Sequence, residues 1–83
     1  MAVTKTDLKV LGEEVTCIVG SVESGVGYFY FGTNQGAIKK YNVATQAITT
    51  LMTLRSIPTS IALYSGILYI GTNKGTFLQL TTY

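Results

Sequence analysis

Histidine and tryptophan are absent from this 83-residue chain, cysteine and proline occur once each, and the acidic residues number four. Without histidine, imidazole acid–base catalysis and histidine-ligated metal sites are excluded. The acids are Asp7, Glu13, Glu14 and Glu23. Their one adjacent pair, Glu13-Glu14, follows Gly12 in a turn, where carboxylates are solvated and not driven apart in pKa as acid–base work requires. Cys17 alone cannot form an intrachain disulfide, and its apolar strand neighbours suit an inert buried thiol better than a nucleophile. Gly25-Val26-Gly27 precedes a strand, not a helix, so it is no phosphate cradle. An enzyme would have to rely on Cys17 or a hydroxyl with no base beside it. The chain is read as non-catalytic, with no cofactor.

Long hydrophobic runs are also missing, although mean hydropathy is +0.36. No stretch reaches the length of a membrane span, and the N-terminus lacks an apolar signal-peptide core. The expectation is a cytoplasmic protein without a membrane partner. A net charge of +2 is too mild to argue for nucleic acid.

What the chain does have is threonine, isoleucine, valine, tyrosine and glycine, a composition suited to strands and tight turns. It also repeats itself. Phe31-Gly32-Thr33-Asn34-Gln35-Gly36 returns 39 residues later as Ile70-Gly71-Thr72-Asn73-Lys74-Gly75. Tyr30 and Tyr69, Ile38 and Phe77, and Tyr41 and Leu80 keep that offset. Upstream the offset is 43, matching Thr6 with Thr49, Leu8 with Leu51, Leu11 with Leu54, Thr16 with Thr59 and Ile18 with Ile61. The difference of four residues falls between Gly20 and Gly27, where the second copy has only Tyr64-Ser65-Gly66. Insertions belong in loops, so 20–27 reads as a flexible hairpin loop.

The pattern predicts strands over 4–11, 15–19, 28–33, 37–42, 47–54, 59–63, 67–72 and 76–80, and no helix. Pro58 opens a strand, where its missing donor costs least. Tyr28 to Phe31 and Ile67 to Ile70 do not alternate, so these strands are expected to be covered on both faces. Asn34-Gln35-Gly36 and Asn73-Lys74-Gly75 are tight turns whose left-handed position suits asparagine or glycine. The chain thus divides into one unit at about 4–42 and another at about 47–81. The second unit lacks a fourth strand at its end, and 4–11 is available to supply one.

At Tyr28 to Leu51, YFYFGTNQGAIKKYNVATQAITTL, the text resembles the blade repeats of two-component-regulator and quinoprotein-like β-propellers. Those run aromatic-x-Gly-Thr-Asn/Asp-x-Gly, an apolar strand, a short turn around a threonine, then an outer strand. The second copy, ILYIGTNKGTFLQL, is similar. Lack of tryptophan separates the chain from quinone-cofactor chemistry and from the WD-repeat marks. The resemblance implies an all-β fold of two four-stranded blades. Propellers close with roughly four to eight blades, so two, three or four chains must share the ring, and a homotrimer of six blades is favoured. An eight-stranded sandwich or barrel is the competing architecture.

In a blade, alternate connections emerge on one face. Asn34, Gln35, Arg55, Ser56, Asn73 and Lys74 would share such a face with Glu13 and Glu14. Their amide, ammonium and guanidinium donors suit a small polar or anionic ligand of nucleotide or sugar type. Asn34 and Asn73 serve equally well as plain hairpin formers, whereas turn geometry does not require Arg55 or Lys74. Tyr30 and Tyr69 are expected to pack between blades, and Lys39-Lys40 to lie on a solvated outer surface. The alternative function is a structural or protein-interaction ring with no ligand.

Overall fold

The computed structural model describes residues 12–81, which form seven strands and no helix. These are β1 (Val15–Glu23), β2 (Val26–Thr33), β3 (Ala37–Asn42), β4 (Ile48–Thr53), β5 (Pro58–Tyr64), β6 (Ile67–Thr72) and β7 (Phe77–Thr81). They pair antiparallel in chain order as two sheets, β1-β2-β3-β4 and β5-β6-β7. The chain is therefore all-β. The expected strand 4–11 lies outside the described residues. No helix among those residues is long and apolar enough to cross a membrane.

The loop expected over 20–27 is instead strand. β1 and β2 stay paired out to Glu23 and Val26, with Ser24 at φ 51° and Gly25 at φ 79° making the turn. Ser65 at 51° and Gly66 at 77° do the same between β5 and β6. Positive φ at both central residues is what a type I′ hairpin needs. The rungs Ser21–Tyr28 and Tyr64–Ile67 are equivalent, so the insertion lengthens each arm of the first hairpin. Tyr64 consequently ends a strand and does not sit in a loop.

Both first strands carry a bulge at one repeat position, between Val15 and Cys17 and between Pro58 and Ser60. In β1 the bulge turns Thr16 toward the second sheet, where its hydroxyl donates to the Pro58 carbonyl at 2.5 Å. Gly32 allows this approach. A Cβ there would lie 2.5 Å from Pro58 Cγ and 3.0 Å from Cys17 Sγ.

The sheets meet through a core of Tyr30 and Ile38 from the first and Leu68 and Ile70 from the second, all fully buried. Val19, Leu54, Ile61, Leu63, Leu78 and Leu80 pack around it. β2 is covered on both sides, since Tyr30 and its neighbour Phe31 are both buried and point oppositely. β6 is sealed on the Leu68 side only. Tyr69 lies on the face turned away from this seam, half-buried and stacked on Phe77 with centroids 6.0 Å apart.

Lys39 and Lys40 depart from the solvated surface expected of them. Lys39 Nζ lies 3.8 Å from Glu13 Oε1, with both side chains 18% exposed. Lys40 Nζ sits 4.1 Å from the Tyr28 ring centroid and 3.3 Å from Glu23 Oε1.

Candidate functional site

The repeated hexapeptide builds one end of the molecule, and each of its positions has a separate task. Thr33 and Thr72 are buried. The Thr33 hydroxyl accepts from Gln35 N at 3.3 Å, and that of Thr72 from Lys74 N at 3.4 Å and Thr76 N at 3.2 Å. Gly36 and Gly75, both at φ 84°, take the left-handed position, so asparagine does not.

Asparagine acts as a clamp. Asn34 N donates to the Glu14 carbonyl at 2.9 Å while Asn34 Oδ1 accepts from Glu14 N at 3.0 Å. Asn73 makes the same pair of bonds with Ile57, at 2.9 and 3.0 Å. Each clamp ties a turn to the chain entering the first strand of the same sheet. The plain structural reading of Asn34 and Asn73 thus accounts for their carbonyl oxygens, and only the amide NH₂ groups are left to offer outward.

The candidate residues do share this end. Gly36 O accepts from Leu54 N at 2.7 Å, and a Cβ at Gly36 would lie 2.4 Å from Leu54 O and 3.3 Å from Ser56 O. The segment carrying Arg55 and Ser56 therefore runs against the Asn34–Gly36 turn, and Ile57 joins it to the Asn73–Gly75 turn. Gln35, Arg55 and Lys74 are exposed and Ser56 is half-buried. The donors thus line a strip braced by backbone hydrogen bonds. Glu13 and Glu14, grouped with them by topology, are otherwise engaged, Glu13 with Lys39 and the Glu14 backbone in the clamp. Among the described residues, no group of three or more cysteine, aspartate or glutamate side chains is placed to hold a metal.

A second polar cluster escapes sequence reasoning. Glu23 Oε2 accepts from the Tyr30 hydroxyl and from Ser21 Oγ, while Oε1 accepts from Lys40 Nζ at 3.3 Å. Tyr30 and Lys40 are cross-strand partners, which pairing rules can suggest. Glu23 lies in the stretch that reads as loop. The Tyr30 hydroxyl, followed by Lys40 and Ser21, holds the Glu23 carboxyl below its usual pKa of 4.5 against the opposing effect of burial. Burial works against the Lys40 charge, but its bonds to Tyr30 and Glu23 outweigh this and raise its pKa above 10.5.

The sign of each shift sets a pH window. The Glu23 contribution is complete above its unfolded pKa and lost as pH falls through the depressed folded value. The Lys40 contribution is complete below its unfolded pKa and lost as pH rises through the raised folded value. Stability should therefore be flat at neutral pH and fall at both extremes. Glu23→Gln should cost on the order of 0.5–1 kcal/mol at pH 7, the range for a solvent-screened pair, and should flatten the acid limb. Urea midpoints measured across pH check this, and an unchanged acid limb would count against the cluster.

Away from this strip, an apolar groove of about 510 Å³ is lined by Gly20, Ser21, Val22, Tyr28, Phe29 and Val43, with Gly27 completing it. It lies toward the Ser24-Gly25 turn and offers room without charged groups. Compared with models of known protein families the chain matches none, and comparisons with curated proteins and with solved structures give no match either.

Proposed function

We propose that this chain is a non-catalytic binding module. In this reading it closes with copies of itself into a β-propeller, three chains giving six blades, and its clamped end takes a small polar or anionic ligand of nucleotide or sugar type. The observation that carries the proposal is the division of labour within the hexapeptide. Threonine, asparagine and glycine build both turns, yet the variable position, Gln35 or Lys74, makes its turn bond through the backbone and leaves its side chain exposed. Arg55 is exposed beside them. Rigid backbone presenting exposed donors is a sound base for a binding site, and repetition around a ring adds avidity.

Calorimetry against nucleotide and acidic-sugar panels tests this. Saturable binding should weaken by about tenfold or more in Lys74→Ala/Arg55→Ala, the loss expected when charge-assisted bonds are removed. Stability should be unchanged, because both side chains are exposed. An assembled particle that binds nothing would favour the second reading, a structural or protein-interaction ring. The exposed apolar side chains of Val22, Tyr64 and Phe77 support that reading, since patches of this kind bury against protein.

A further inference from the structure

The two sheets pack through unlike faces: the first presents Tyr30 and Ile38, the second Leu68 and Ile70. On the repeat, Tyr30 corresponds to Tyr69 and Ile38 to Phe77, while Leu68 corresponds to Phe29 and Ile70 to Phe31. The outward face of each sheet is therefore the counterpart of the face that the other puts into the seam. Both outward faces carry open apolar groups. Tyr64 is 72% and Phe77 75% exposed on the second sheet, and Ile18 59% and Phe29 40% on the first. Phe31 is already buried, so the open part of the first sheet's face lies around Ile18, Val22 and Phe29.

We propose that these two outward faces dock on each other between copies of the chain, head to tail, with Tyr64 of one copy seated in the groove over Gly20 of the next. The proposal rests on the assembly reading above and names its contact. Gly20 holds the repeat position of Leu63, and Tyr64 that of Ser21. Inside the chain the small residue belongs to the first sheet and the large one to the second sheet's seam face. On the outward faces the sizes are exchanged, and the groove beside Gly20 has the volume for a phenol ring.

The bulges point the same way. Thr16 donates to the Pro58 carbonyl across the internal seam. Thr59 occupies the matching bulge, and the counterpart of Pro58 is the half-exposed Val15. Pro58 fills the space beside Gly32, whereas a Cβ at Gly71, the counterpart of Gly32, would meet only Ser60 Oγ. Val15 of the next copy fits that vacancy. A second copy is the occupant because the complement of each face is carried on the chain itself. Such a contact is heterologous and builds rings when its rotation closes.

Native mass spectrometry of the full chain at several concentrations tests the contact. Wild type should assemble, and Tyr64→Ser should weaken association by about tenfold or more, as loss of a tyrosine anchor does. Gly20→Leu should also weaken it by filling the groove. The double variant Gly20→Leu/Tyr64→Ser gives the outward faces the residue sizes that the internal faces carry and should restore assembly. Because Gly20→Leu presses on Phe29, a second measurement uses Val15→Cys/Thr59→Cys in a Cys17→Ser background, which should form intermolecular disulfides on oxidation. A monomeric wild type overturns the ring and this contact together. An assembled wild type that ignores Tyr64→Ser and does not cross-link overturns this contact alone.

Discussion

Gly36→Ala should lower the unfolding free energy by about 3–4 kcal/mol, against about 1–2 kcal/mol for Gly75→Ala, the cost of left-handed backbone alone. The two glycines share φ 84° and end equivalent turns, so conformational strain is the same for both. They differ in surroundings. A Cβ at Gly36 lies 2.4 Å from Leu54 O, while at Gly75 nothing lies within 4 Å. Relief at Gly36 cannot come from a rotamer change, because the neighbour is backbone, held by the Leu54 N–Gly36 O bond of 2.7 Å. The turn and the connection between the sheets must part, which separates Gln35 from Arg55 and Ser56. Chemical denaturation of both variants checks the difference. Equal losses would show that the connection yields without cost and that the polar strip is not rigid.

Leu68→Ala should cost about 2–5 kcal/mol, the range for truncating a buried leucine. For so small a domain that is a large share of the total stability. Leu68 is fully buried between Tyr30, Ile38 and Ile70, and two sheets converge on the space it leaves. Phe77→Ala removes a larger side chain, but one 75% exposed, and should change the single chain's stability by about 0.5 kcal/mol or less. Thermal melts at low protein concentration separate the two. A drop of roughly 10 °C or more is expected for Leu68→Ala and almost none for Phe77→Ala. A small effect at Leu68 would mean that the sheets hold together through polar contacts such as the Thr16 hydroxyl to the Pro58 carbonyl.

The all-β class, the repeat and both tight turns were legible because turn chemistry is local. A glycine at positive φ and a threonine hydroxyl accepting from amides of its own turn need no distant partner. The Asn34 clamp was not legible, because its partner Glu14 is 20 residues away, and nothing in the hexapeptide names it. The stretch 20–27 looked flexible because glycine and serine dominate it. Phe29 Cε1 lies 3.1 Å from the Cβ position of Gly20, and Val43 Cγ2 3.4 Å from that of Gly27, so neighbouring side chains pack beside these glycines within regular strands. Lys40 looked solvated because strand alternation says nothing of a tyrosine ring on the adjacent strand. At the candidate site, Arg55 and Lys74 stood out as residues that the turns do not need, whereas Gln35 and Ser56 followed only from the topology that groups alternate connections at one end. Which apolar face meets which depends on packing between sheets, and periodicity carries no such information.

The meander order of both sheets has a consequence for the chain as it is synthesised. Every strand pairs with its immediate neighbour, and such local pairing forms quickly. The first sheet is complete once Thr53 is available, but the cover for its Tyr30 face, Leu68 and Ile70, follows up to 17 residues later. At translation rates of about 5–20 residues per second, the face stays uncovered for roughly one to three seconds. During that interval the nascent chain presents a finished sheet with one naked aromatic side, the form in which a chaperone, or a neighbouring nascent copy, first meets it.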